Sequence, residues 1–186
     1  MRAPLRQSTG RAGATKMPNQ TEHFHSWCQQ YYKTHYKDMD VNEITDTHAQ
    51  FTKGDAEIVP GFGEPNIYCD DKANSSVTEN LLVEMIQSAA TPEEPRWLGW
   101  FYNLTECDFV LMGYYDGQDS LSLHSAYKID LKKLRAWFRL PALKKKMLNK
   151  EIKVTSNFCV TGWGITLLMF IPYQPLIADG IAERIA

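Results

Sequence analysis

A single α/β domain is the fold class this sequence predicts, and three observations predict it. After Thr21 aromatic and apolar residues recur at helical spacing. Between Ala56 and Ile129 several short β-prone runs are bounded by Gly, Pro, Asn and Asp turns. From Asp130 an amphipathic helical pattern resumes. At 186 residues, 44% of them hydrophobic, the chain is long enough for one domain with a substantial core.

Residues 1–20 are basic, acid-free and lack the apolar run of a secretory signal, so they read as a disordered extension ahead of a domain over 21–186. Thr21 is the expected N-cap of a first helix. Phe24, Trp27, Cys28, Tyr31 and either His35 or Tyr36 then face the core. Glu22 lies in the first turn, where an acid favours the helix dipole. His23, His25, His35 and His48 form no metal-ligand pattern and read as surface or helix-face residues. Residues 38–53 read as a connecting loop with a short helical turn from Asp46 to Phe51.

Ala56–Val59 is a short strand, Pro60–Pro65 a turn-rich connection, and Asn66–Cys69 an extended run that continues into Asp70-Asp71-Lys72. Thr78–Gln87 reads as a nearly continuous apolar strand carrying Glu84, and 91–95 as a loop. Asp108–Tyr115 and Ser120–Ile129 are strands around an Asp116-Gly117 turn. Asp130 caps a helix to about Phe138, and Pro141 breaks it before a second short helix. Val154–Val160 and Gly162–Ile171 form a closing strand pair, too short and too quickly followed by Pro172 and Pro175 to cross a bilayer. Leu176–Ala186 completes the chain as a terminal helix.

The chemistry concentrates between Gln50 and Gln87. Strand side chains alternate, so Asp70 and Lys72 project to one face and Asp71 to the other. A hairpin between the first two strands brings Asp55 beside Asp70. Two carboxylates and an ammonium at one sheet end suit metal-assisted phosphodiester cleavage. Carboxylate oxygens suit Mg²⁺, which polarises a phosphoryl oxygen and acidifies a water, while an ammonium offsets developing charge. An ionised Glu84 inside an apolar run is costly unless it is paired or metal-bound. A second register, Asp71 with Glu84, leaves Ile86 at the lysine position and Gln87 one place late. The first register supplies a lysine and is preferred.

Gly54-Asp55, a gap, then Asp70-Asp71-Lys72 resembles the PD-(D/E)XK nuclease superfamily, with Gly54 where Pro is usual. The resemblance is strengthened by Gln50 before the Gly-Asp pair and by Gly99-Trp100, Cys107-Asp108-Phe109 and Tyr127–Leu131 downstream, over roughly residues 22–172. It implies a restriction-endonuclease-like fold, a central mixed sheet flanked by helices, and a small phage- or plasmid-type enzyme that hydrolyses DNA with Mg²⁺ or Mn²⁺. The metal ligands it implies are Asp55 and Asp70, with Glu84 as a further acid, and Lys72 is the catalytic lysine. Glu22, Gln50, Asp71 and Gln87 are supporting positions. A second reading keeps the nuclease core as a non-catalytic scaffold, a phage factor acting on a host protein or nucleic acid.

The formal net charge of −2 supplies no global attraction to nucleic acid, so DNA contact requires a local patch. Lys132, Lys133, Arg135, Lys144, Lys145 and Lys146 form the one credible phosphate-contacting cluster, with a solvated helix face as its ordinary alternative. Four scattered cysteines without a CxxC pair suggest neither zinc nor a disulfide framework, and reduced thiols in the cytoplasm fit best. DNA is the expected partner, no membrane is, and homodimerisation is left open.

Overall fold

The computed structural model describes residues 19–88, 96–149, 155–161 and 164–186. The chain opens with α1 (Gln20–His35), capped by Asn19, whose side chain accepts from the Thr21 amide. The cap therefore falls two residues before Thr21, because Asn19 holds the extended backbone an N-cap needs. The loop expected over 38–53 is more structured than its polarity suggests. It forms β1 (Asp40–Glu43) and α2 (Thr47–Lys53), the latter capped by Asp46. Next come β2 (Ala56–Val59), β3 (Ile67–Asn74), β4 (Asn80–Ser88) and β5 (Arg96–Leu98). These lead to α3 (Trp100–Asn103), β6 (Phe109–Tyr115) and β7 (Leu123–Asp130). The chain then forms α4 (Leu131–Phe138), α5 (Pro141–Leu148), β8 (Thr155–Thr161), β9 (Gly164–Pro172), α6 (Tyr173–Ala178) and β10 (Ala182–Arg184).

The fold is α/β with a mixed six-stranded sheet, in the order β1-β2-β3-β6-β7-β10. β1, β2 and β3 form an antiparallel meander, and β6 then lies parallel to β3. The expected strands are present, but they do not all join one sheet. β4 leaves to form a second, antiparallel sheet in the order β5-β4-β9-β8. The terminal helix is also shorter than expected. α6 stops at Ala178, Gly180 takes a left-handed turn (φ 65°), and Ala182–Arg184 return as an edge strand on β7. Burial of Ile181 and Ala182 against that sheet outweighs the helical spacing of their neighbours.

β6 is buried at every position, as a strand covered on both faces must be. Phe109, Leu111 and Tyr115 join Phe24, Cys28 and Tyr32 of α1 in one core cluster. Val110, Met112 and Tyr114 join Leu81 and Val83 of β4 and Leu131 and Leu134 of α4 in the other. α1 thus covers one face of the large sheet, and the small sheet with α3 and α4 covers the opposite face. Asp130 caps α4 as expected, its side chain accepting from the Lys133 amide at 2.8 Å. Pro141 opens α5. No helix among the described residues is long and apolar enough to cross a membrane.

Candidate functional site

The site is built where α2 hands the chain to β2. Gly54 ends α2 with φ 95°, its amide bonding to Gln50 O at 3.0 Å. A Cβ there would lie 2.5 Å from Cys69 O and 2.7 Å from Asp70 Cβ, so only glycine lets the chain pass this close to β3. Asp55 is then fixed from several directions. Its amide donates to Cys69 O, its carbonyl accepts from the Ile44 amide, and its Oδ2 accepts from the Asp71 amide at 3.0 Å. The β2–β3 ladder runs from Ala56↔Cys69, so the Asp55 carboxylate occupies the next place along the sheet edge and satisfies a β3 amide. Standing at that edge, it lines cavities on both sides.

The first cavity, of about 490 Å³, holds Asp55, Asp70, Lys72 and Glu84 together. Its walls come from α2, β3, β6, the second sheet and α3. The hairpin brings Asp55 beside Asp70, and the strand pleat turns Asp70 and Lys72 the same way. Glu84 arrives from the other sheet, at an irregularity in the β4–β9 pairing that re-aims a strand locally. Gly99, at the head of α3, has no room for a Cβ against the Glu84 backbone, which keeps α3 tight on β4.

Asp70 is a buried acid in an unfavourable electrostatic setting. Burial drives its carboxyl up to about 7; Lys72 opposes the rise and Asp55 adds to it. Its Oδ2 is buried and meets Lys72 Nζ at 2.5 Å in an ion pair. Desolvation disfavours the Lys72 ammonium, but Asp70 and Asp55 together outweigh it and raise its proton affinity. The two partners thus differ: charge is favoured on Lys72 and disfavoured on Asp70. The charge balance explains it, since Lys72 faces two carboxylates whereas Asp70 faces one ammonium and the further acids Asp55 and Asp71. Half-buried Glu84 is also raised by desolvation, with Lys72 partly compensating.

Asp71 points to the opposite face. Tyr32 Oη donates to its Oδ1 at 2.5 Å and His25 Nδ1 to its Oδ2 at 2.9 Å. Desolvation raises its pKa, and the Tyr32 hydrogen bond works against the rise. It lines a second cavity of about 260 Å³ with Glu22, His25, Glu43 and Asp55. Asp71 and Glu84 are therefore not brought together, which leaves the second register without a shared site. Glu22 likewise faces the Asp71 cavity rather than the Asp70 cavity. His25 is not a plain surface residue, because it turns inward to Asp71. His25, Cys28 and Tyr32 share one helical stripe on α1, a spacing legible in the sequence, while Trp27 and Tyr31 pack, partly buried, against the same core cluster.

Gln50 lines both cavities, with its side-chain amide tied to Ile44 O at 2.6 Å. Gln87 lies in β4, and its side chain is outside the described residues. On α4 and α5, Lys132, Lys133, Lys144, Lys145 and Lys146 are exposed. Lys133 Nζ reaches Gly180 O at 3.1 Å and Asp130 Oδ2 at 3.6 Å. Arg135 is engaged internally, donating to Phe101 O and Leu104 O at the end of α3. It braces the cavity wall, and the basic surface rests on the lysines. Residues 1–18 and the 91–95 loop lie outside the described residues.

Comparison of this chain with family models, curated proteins and solved structures finds no match.

Proposed function

We propose that the protein is a metal-dependent nuclease of the PD-(D/E)XK type, with Asp55, Asp70 and Lys72 as its working set and DNA as its substrate. The observation that carries this is the buried Asp70 carboxyl, ion-paired to Lys72 in a cavity that Asp55 and Glu84 also line. The antiparallel meander followed by a parallel β6 supports the same reading, since it sets the first Asp and the Asp-x-Lys element on neighbouring strands of a mixed sheet.

The donor set fits a hard cation. Asp55 and Asp70 would hold Mg²⁺ or Mn²⁺, with Glu84 facing them across the cavity. Among the described residues no three His, Cys, Asp or Glu side chains already form a metal cage. Mg²⁺ does not ask for one, because it commonly takes one or two carboxylates and keeps several waters. When bound, the ion supplies Lewis acidity at the phosphoryl oxygen and a more acidic water.

The chain's own part follows from its electrostatics. Lys72 has its proton affinity raised by Asp70 and Asp55, so it remains an ammonium at neutral pH. It places positive charge and N–H donors beside the reacting phosphoryl group and does not act as a proton acceptor. Asp70 must lose its proton before it can ligate, which ties cation binding to pH. The exposed lysines of α4 and α5 provide phosphate contacts, joined to the cavity wall through Arg135 and α3.

The test is cleavage of linear, nicked, branched and single-stranded DNA by purified protein with Mg²⁺ or Mn²⁺, alongside Lys72→Ala. Wild type is expected to cut, and the variant to lose most of that rate while still binding metal, a loss of roughly 2–4 kcal/mol in transition-state stabilisation. Wild type inert on every substrate, or Lys72→Ala as active as wild type, defeats the proposal.

A further inference from the structure

Resting on the nuclease reading, we infer that the substrate enters the cavity as an unpaired nucleotide, a strand end or an unstacked residue, rather than as continuous duplex. The cavity lining combines two unlike kinds of side chain, with neutral polar residues such as Thr47, Gln50, Asn74 and Asn103 among them. Asp55, Asp70, Lys72 and Glu84 are the charged members, and Phe51, Leu98 and Trp100 are among the apolar ones. A nucleotide has the same division: a phosphate that belongs with the ammonium and a cation, and a flat base that belongs with apolar and aromatic surface.

The depth of Asp70 makes the distinction. Asp70 is almost fully buried beneath walls contributed by both sheets and two helices. A phosphate that reaches it must enter the cavity. At about 490 Å³ the space lies within the range of small-molecule sites, roughly 300–1,000 Å³, and is of a size for a single nucleotide. Phe51 and Leu98 also remain 48% and 52% exposed while lining this cavity. An unstacked base would cover that apolar area. Enzymes that work on a nucleotide held in a deep pocket take it from single strands or extrude it, and base–aromatic stacking tolerates any sequence.

The experiment uses the full chain and three DNAs of one sequence: single strand, duplex with unpaired overhangs, and duplex closed at both ends by hairpins. With Mg²⁺, single strand and overhang are expected to be cut at least tenfold faster than the closed duplex. A second arm replaces Mg²⁺ with Ca²⁺ and follows 2-aminopurine fluorescence in the single strand. Wild type is expected to change the signal, and Phe51→Ala to bind roughly tenfold more weakly with the change lost. Phe51→Trp should retain it. Phe51 is half exposed, so these variants are expected to fold, and unfolding midpoints check this. Equal cleavage of the closed duplex overturns the inference, as does a 2-aminopurine signal indifferent to Phe51. If no DNA is cut the nuclease reading fails. The fluorescence arm then decides alone: a Phe51-dependent signal upholds entry of an unpaired nucleotide, and its absence rejects it.

Discussion

Asp70→Asn removes one charge and almost no volume, and it should make the metal-free protein more stable at alkaline pH. The Asp70 carboxyl moves from 3.8 to about 7 on folding, chiefly because burial strips its hydration. A raised acid favours the folded state only while it is protonated. Its contribution is complete below about 4 and is lost as pH rises towards and through 7. The displacement corresponds to roughly 4 kcal/mol between the two protonation states. The side chain is only 4% exposed, so solvent screens little of this. In the variant Lys72 loses its nearest counter-charge but keeps Asp55, which returns part of the gain. Asp70→Asn should therefore exceed wild type by about 1–3 kcal/mol at pH 8 and fall below that margin at pH 4. The assay is urea unfolding with chelator present, across pH 4 to 8, for both proteins. Asp71 and Glu84 titrate in both, so the difference between the two curves isolates Asp70. Mg²⁺ or Mn²⁺ at about 100 times its dissociation constant should then stabilise wild type at pH 8 by roughly 2.7 kcal/mol and leave the variant nearly unmoved. Parallel stability curves for the two proteins, or equal metal stabilisation, would refute the reasoning.

Gly54→Ala should cost on the order of 3 kcal/mol, since its Cβ meets β3 backbone and its φ of 95° is strained for any side chain; equilibrium unfolding measures this, and a loss under 1 kcal/mol would count against the close approach. Tyr32→Phe should cost roughly 1–3 kcal/mol by removing the hydroxyl from buried Asp71, raising that acid's pKa further and steepening the loss of stability with rising pH; a pH profile unchanged from wild type would contradict it. Neutralising Lys132, Lys144, Lys145 and Lys146 should weaken DNA binding and flatten its salt dependence without altering the unfolding midpoint, because all four are exposed; an unchanged slope of log K against log salt would mark a solvated face.

Local chemistry was legible in the sequence wherever neighbours along the chain decide the outcome. The pleat alone separates Asp70 and Lys72 from Asp71, a turn-rich connection predicts the hairpin that brings Asp55 alongside, and Asp130 and Pro141 mark two helix starts through caps and a missing amide. Long-range pairing was not legible. Nothing in Thr78–Gln87 distinguishes a strand of the first sheet from one that crosses to a second, yet that choice places Glu84 opposite Lys72 and gives the cavity its other wall. Arg135 reads as one more cation in a basic run until tertiary packing sets α3 carbonyls beside it. Asp71 reads as the spare acid of a doublet until α1 docks and delivers Tyr32 and His25. Periodicity records which face a side chain takes within its own element. What stands across from that face is set by contacts between residues distant in the chain, 31 to 46 positions apart for the bonds of Arg135 and Asp71, whose energy depends on burial and charge in the assembled molecule.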